Sequence, residues 1–176
     1  MCIRDRIHEA GIALGSNLGY SYSEIENACA FLSSLSSDHS LLSSPLYRTS
    51  PVDCPPGSPD YLNSVVVIQT GLPPEELLSA FKKYEQGRGR LLDSATGPVN
   101  APRPIDLDIL YYGQLVYHSD TLTIPHPRLH LRRFVLEPLS DLRPTLTLPG
   151  FDSDIQTLCH SLDSSEPPLT KLPTTC

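Results

Sequence analysis

Asp106 and Asp108 stand two residues apart within Asn100-Ala-Pro-Arg-Pro-Ile-Asp-Leu-Asp-Ile-Leu-Tyr-Tyr112. The surrounding Ile, Leu and Tyr read as a strand, whose side chains repeat their direction every second residue. Both carboxylates then project from one face, while Ile105, Leu107 and Ile109 point to the other and can enter a core. Neighbouring carboxylates repel, and burying them unpaired is costly. A divalent cation relieves that cost. Hard oxygen ligands suit magnesium, which keeps waters and shares itself with substrate phosphates. Arg103, three residues before Asp106, can neutralise phosphate charge beside the metals. An isolated Asp-x-Asp is more often a solvated surface pair, so the elements around it must decide.

The chain has 176 residues, 39% apolar and 19% charged, which fits one domain with a real hydrophobic core. Residues 7–163 are expected to form that domain. Residues 1–6 (Met-Cys-Ile-Arg-Asp-Arg) read as a non-native N-terminal scar, and residues 164–176, with Pro167, Pro168 and Pro173, as a loose tail. No apolar run approaches the roughly 20 residues of a membrane span. Five scattered cysteines without a C-x-x-C pair argue against a disulfide framework or a zinc site and suit a cytoplasmic location. A net charge of -7 argues against nucleic-acid binding. Yet Lys82, Lys83, Arg88, Arg90, Arg103, Arg128, Arg132 and Arg133 all fall in the middle segment, as a local site for a nucleotide would require.

Residues 8–14 read as a first strand, followed by the turn Gly15-Ser16-Asn17-Leu18-Gly19. A helix capped by Ser21 or Ser23 then runs to about Ser36, with Ile25, Ala28, Cys29, Leu32 and Leu35 at helical spacing. A second strand is expected over 39–48 and a proline-rich loop over 49–60, long enough to act as a lid. Tyr61 to Thr70 is the strongest strand, rich in β-branched residues. Pro73-Pro74-Glu75-Glu76 opens a second helix with proline and acids in its first turn, ending near Gly87-Arg88-Gly89-Arg90. Beyond the Asp-x-Asp strand, residues 115–117 and 122–124 suggest a short hairpin. Residues 129–139 suggest a third helix with exposed arginines, and residues 152–162 a short last helix. The order βαββαβ predicts an α+β, ferredoxin-like antiparallel sheet with helices, extended by a C-terminal hairpin and helix.

Six pieces in order carry a resemblance. They are Ala13-Leu14-Gly15-Ser16-Asn17-Leu18-Gly19, Tyr47-Arg48-Thr49-Ser50-Pro51, Asp60-Tyr61-Leu62-Asn63, Glu85 with Gly89-Arg90, Pro102 to Leu110, and Ile124-Pro125-His126-Pro127-Arg128 with Arg132 and Phe134. Together they resemble the 6-hydroxymethyl-7,8-dihydropterin pyrophosphokinases, folate-pathway enzymes that move pyrophosphate from ATP to a pterin alcohol, over about residues 11–158.

The resemblance implies two magnesium ions on Asp106 and Asp108, with Arg103 as a third catalytic residue. It implies ATP contacts at Glu85, Arg90, Arg103, Ile109, Thr123, His126 and Arg132, and pterin contacts at Thr49, Val52, Tyr61, Asn63 and Phe134. The partners would be these two small molecules, with no membrane and no nucleic acid, and the enzyme a monomer. Arg133 matches no family position and reads as a surface charge. Many relatives close a tryptophan over the pterin. This chain has none, Leu92 replaces a second arginine, and the loop from Leu91 to Ala101 is a few residues longer.

Overall fold

The computed structural model describes residues 6–18, 20–51, 56–89, 104–163 and 165–175. Along the chain come β1 (His8–Ser16), α1 (Ser21–Leu35), β2 (Leu42–Ser43), β3 (Pro45–Thr49), β4 (Tyr61–Thr70) and α2 (Pro74–Gly87). Then follow β5 (Asp106–Tyr112), β6 (Tyr117–His118), β7 (Thr123–Ile124), α3 (Arg133–Leu142), α4 (Ile155–His160) and β8 (Thr170–Thr175). The main sheet runs β5-β1-β4-β3-β8, with β2 also on β4, while β6 and β7 pair separately. Every pairing is antiparallel. The architecture is α+β, as the element order predicts.

Apolar side chains leave both faces of the sheet. On one face Ile12, Leu14, Val66, Ile68, Leu107 and Ile109 meet Ile25, Leu32, Leu77 and Phe81 from α1 and α2. On the other, Val65, Leu110 and Tyr111 meet Val135, Leu136 and Leu139 of α3 and Ile155 of α4. A bulge explains why β5 serves both cores. Its register against β1 shifts between Gly11 and Ile12, which puts consecutive Leu110 and Tyr111 on the α3 side and returns Tyr112 to the other. α3 covers only the Tyr111 end of that face. Asp106 and Asp108, at the start of β5, are left half-exposed.

Tyr111 is buried, and its hydroxyl donates to Glu9 at 2.7 Å. Arg143, the C-terminal cap residue of α3, donates to both Glu9 oxygens at 3.0 Å. Burial acts to raise the Glu9 pKa, but the bonds from Arg143, Tyr111 and Gln69 together outweigh it and hold the carboxyl below its usual range. The network ties the far end of α3 to β1 and β5.

Several elements differ from expectation. The second strand is split at Ser44, whose Oγ accepts the Val65 N–H at 3.0 Å and so replaces a ladder carbonyl. The third helix starts at Arg133, after a 3-10 turn at Leu129–Leu131. The tail expected to be loose forms β8, since the exposed edge of β3 offers unpaired backbone groups that the Thr-rich end can meet. Cys29 is disulfide-bonded, while Cys159 is free. Spacing along the chain, which argued against disulfides, says nothing about proximity in space. Among the described residues no helix is long and apolar enough to cross a membrane.

A Cβ added to Gly11 would overlap Cε1 and Cδ1 of the Tyr111 ring. The ring is packed and held by its hydroxyl, so it has nowhere to yield. Gly11→Ala is expected to cost about 1–3 kcal/mol, the usual range for overpacking. Urea unfolding checks this, and an unchanged midpoint would show that the ring moves freely.

Candidate active site

The site begins with register. Gly15 of β1 lies opposite Asp106 on one side and Asn63 on the other. One pleat along, Ala13 lies between Asp108 and Val65. Directly paired residues share a face, so both carboxylates and the Asn63 amide project from the side that carries α3. Two strand spacings separate Asp106 from Asn63, or about 9.5 Å. Nothing rises from the strand between them, because that position is a glycine. A Cβ there would come 3.4 Å from Asn63 Oδ1. The row Asp106–Gly15–Asn63 is thus a shallow trough with carboxylates at one wall and an amide at the other.

The strand holding the carboxylates is an outer strand, and its free edge is secured. Glu85 of α2 is buried and accepts the Leu107 N–H at 2.8 Å. Ser16 donates to the Pro104 carbonyl, fixing the chain just before Asp106. Glu85 and Ile109, both expected to contact ATP, therefore lie on the α1 and α2 side of the sheet. Ile109 is buried in that core. Glu85 supports the backbone between the two aspartates.

Asn63 Nδ2 donates to Thr49 Oγ1 at 3.0 Å, which joins two expected pterin residues. Tyr61 pairs with Thr49 at the same end of the sheet. Phe134, in the first turn of α3, lies under the Arg132 guanidinium, 5.4 Å from its carbon to the ring centroid. Arg132 is the N-terminal cap residue of α3, with φ -116° and ψ 113°. It is half-buried beside the site, and not on an exposed helix face. Burial and then Arg128 push its pKa down, while Asp108, Asp106 and Glu166 oppose them. Arg133 is half-buried too, within 3.3 Å of Glu137. It is no simple surface charge.

His126 completes the group. Its backbone N–H donates to the Leu110 carbonyl at 2.8 Å, which places it along the free edge of β5. Its Nδ1 accepts the Arg128 N–H at 3.2 Å. Burial first, then Arg132 and Arg128, push its pKa down to about 4 against the pull of Asp106. A neutral ring with Nδ1 so occupied carries its proton on Nε2, a single hydrogen-bond donor. Thr123 lies on the β6–β7 hairpin, its Oγ1 2.9 Å from His118 Nδ1. Beyond it a cleft of about 390 Å³ opens between α2 and Thr121, lined by Leu78, Lys82 and Lys83 among others. Val52, Arg90 and Arg103 lie outside the described residues.

The structure therefore gathers Asp106, Asp108, Asn63, Thr49, His126, Arg132 and Phe134 on one side of the sheet. Sequence reasoning missed the parts played by Gly15 and Ser16. A glycine inside a strand pattern was the available signal, since it marks a place where something approaches closely.

A family model described as 7,8-dihydro-6-hydroxymethylpterin-pyrophosphokinase matches residues 11–144. A protein of Haemophilus influenzae named 2-amino-4-hydroxy-6-hydroxymethyldihydropteridine pyrophosphokinase is 39% identical over 80% of this chain and 85% of its own length. One of the same name from Pseudomonas aeruginosa is 37% identical over 81% and 85%. The mitochondrial folate synthesis bifunctional protein of Pisum sativum is 40% identical over 90% of this chain but only 29% of its own length. A crystal structure of Plasmodium falciparum HPPK-DHPS superposes with a TM-score of 0.69 at 15% identity, over 88% of this chain and 44% of that one. At that identity the likeness concerns the fold alone.

The His126 pKa carries a stability consequence. A depressed histidine pKa favours folding fully above the unfolded value near 6.5, and that contribution is lost as pH falls toward about 4. His126→Gln is expected to flatten the loss of stability between pH 6.5 and 4. Urea midpoints across that range check this, and parallel curves for the two proteins would contradict it.

Proposed function

This chain belongs to the 7,8-dihydro-6-hydroxymethylpterin-pyrophosphokinase family, and on that premise we propose how its residues act. Its activity is that of a pyrophosphokinase in folate biosynthesis. The donor is ATP, and the acceptor is the hydroxymethyl oxygen of 6-hydroxymethyl-7,8-dihydropterin. That oxygen bonds to the β-phosphorus, the bond from the β-phosphorus to the α,β-bridging oxygen breaks, and AMP leaves. The hydroxyl proton passes to solvent, and no protein base is required.

The observation that carries this reading is the row Asp106–Gly15–Asn63 with Arg132 beside it. Asp106 and Asp108 fit magnesium by donor chemistry: two half-exposed carboxylates on one face, with no side chain rising from Gly15. Among the described residues no group of three or more His, Cys, Asp or Glu converges. An ion here would complete its shell with water and phosphate oxygens, as magnesium usually does. Two such ions would neutralise phosphate charge and acidify the attacking hydroxyl.

The protein supplies the rest by position. Asn63 presents an amide to the amino-pyrimidinone edge of the pterin, oriented by Thr49. Phe134 and Tyr61 offer flat faces for the ring. The span of about 9.5 Å between Asn63 and Asp106 suits a ligand gripped at its ring edge and reacting at its hydroxymethyl end. Arg132, with Arg103, holds phosphate oxygens, and neutral His126 donates one hydrogen bond from Nε2. The adenosine end is assigned to Thr123 and the cleft near Lys82. The enzyme is proposed to act as a cytoplasmic monomer.

Purified protein with ATP, magnesium and the pterin alcohol is expected to release AMP. Asp106→Ala and Asp108→Ala are each expected to lower that rate at least about 10²-fold, as losing one preorganised electrostatic group does. Release of ADP would mean attack at the γ-phosphorus and a different mechanism. Asn63→Ala is expected to raise KM for the pterin about tenfold or more, the loss of roughly one charge-free hydrogen bond left unpaired, with ATP affinity unchanged. Initial-rate measurements in both substrates check this, and a rise in KM for ATP alone would place Asn63 elsewhere.

A further inference from the structure

Residues 165–175 form a segment that runs from one side of the site to the other. Glu166 Oε2 accepts the backbone N–H of Arg133 at 3.3 Å, at the N-terminal end of α3. Four residues on, Thr170 and Lys171 pair with Arg48 and Tyr47 of β3, next to Thr49. Lys171 Nζ lies 3.2 Å from Asp141 and 5.7 Å from the Tyr47 ring centroid. Tyr47 in turn donates its hydroxyl to Asp141. The far end of the segment is thus anchored on β3 and α3. Pro167 and Pro168, between the two attachments, stiffen the link.

We propose that this segment is a strap whose Glu166 carboxylate holds, in the nucleotide-free enzyme, the ground beside Arg132 that a phosphate group of ATP takes on binding. The strap presupposes that the site takes a nucleotide, as proposed for the function. A carboxylate on the backbone N–H of Arg133, at the N-terminus of α3 and one residue from Arg132, meets the same helix-end field that a phosphate would. The Glu166 charge opposes the lowering of the Arg132 pKa, though less than Asp108 and Asp106 do. The contact with Arg133 is one that can be exchanged. Its hydrogen bond is long, at 3.3 Å, and the residue is half-exposed. Tethering keeps the carboxylate at high local concentration. A triphosphate with its cations brings far more charge than one carboxylate and displaces it. The strap therefore sets a threshold for nucleotide binding and leaves the chemistry alone. Anchorage at β8 would keep it ready to return when AMP departs.

The test compares full-length wild type with Glu166→Gln, which keeps an acceptor for the Arg133 N–H and removes only the charge. Calorimetric titration with MgATP, without pterin, is expected to show a Kd about two- to fivefold lower in the variant, the size of one charge acting at a helix end. That gain is expected to shrink in 0.5 M KCl, because screening shortens the reach of Glu166, and kcat for AMP release is expected to stay unchanged. Lys171→Ala, which loosens the anchor without touching the Arg132 side, is expected to lower Kd in the same direction. Equal or weaker MgATP binding by Glu166→Gln, beside an active wild type, overturns the strap and leaves the proposed function standing. A wild type that neither binds MgATP nor releases AMP overturns the nucleotide reading itself, and the strap with it.

Discussion

The antiparallel register of β1 with its two neighbours is the constraint on which the site depends. Strand pairing at Gly15 sets Asp106 and Asn63 on one face and fixes their distance by backbone hydrogen bonds, which no side-chain rearrangement can alter. A slip of one residue would turn both carboxylates into the core between the sheet and α1 and α2, and would expose Leu107 and Ile109. Burial of those two residues therefore enforces the position of the carboxylates. The face that carries the carboxylates is specified by the apolar face opposite it. Glu85 and Ser16 serve the same constraint by holding the start of β5 where β1 alone would leave an outer edge free.

Electrostatics complete the trough. The chain carries a net charge of -7, yet Arg132 feels both aspartates and Arg128 feels Arg132 and His126. His126 remains neutral there, because burial and both guanidiniums oppose a further positive charge. Neutrality has a use. In its proposed role an uncharged donor meets a phosphate oxygen while the arginines carry the charge balance, and the Arg128 N–H at Nδ1 keeps its proton on Nε2. The arrangement is complementary to a polyanion that brings its own cations.

Period-two patterning makes the Asp-x-Asp face legible in the sequence itself, and β4, α1 and α2 are legible from β-branched content, helical spacing and a proline-led first turn. Features set by tertiary contacts are not. Ser44 splits a strand because its hydroxyl meets Val65, twenty-one residues away. Arg132 reads as helical from its neighbours, yet it caps α3, because the 3-10 turn before it consumes the chain differently. β8 exists because β3 has an open edge, a fact that the tail's own proline content conceals. The neutral state of His126 depends on two arginines and on burial, and the adjacent Pro-His-Pro-Arg motif signals only that the residue matters. Glu85 is legible as important, while its position under the carboxylate strand follows only from the packing of α2.

The placement of Arg132 and Phe134 follows from how α3 is held along its length. A helix of ten residues spans about 15 Å, so a small tilt at one end moves the other by ångströms. α3 is secured at its C-terminal end, where Arg143 grips Glu9 with two bonds and Tyr111 supports the same carboxylate. It is secured on its flank, where Asp141 receives Tyr47 and Lys171. Val135, Leu136 and Leu139 pack its underside on Val65, Leu110 and Tyr111. Three attachments of different chemistry fix a rod in position and rotation, and the residues at its free end inherit that precision. Glu9 and Gly11 are therefore bound to the site through Tyr111 and the body of α3, although neither faces a ligand. The bulge in β5 is what permits this, since it turns Tyr111 toward α3 while leaving Asp106 and Asp108 uncovered on the same face.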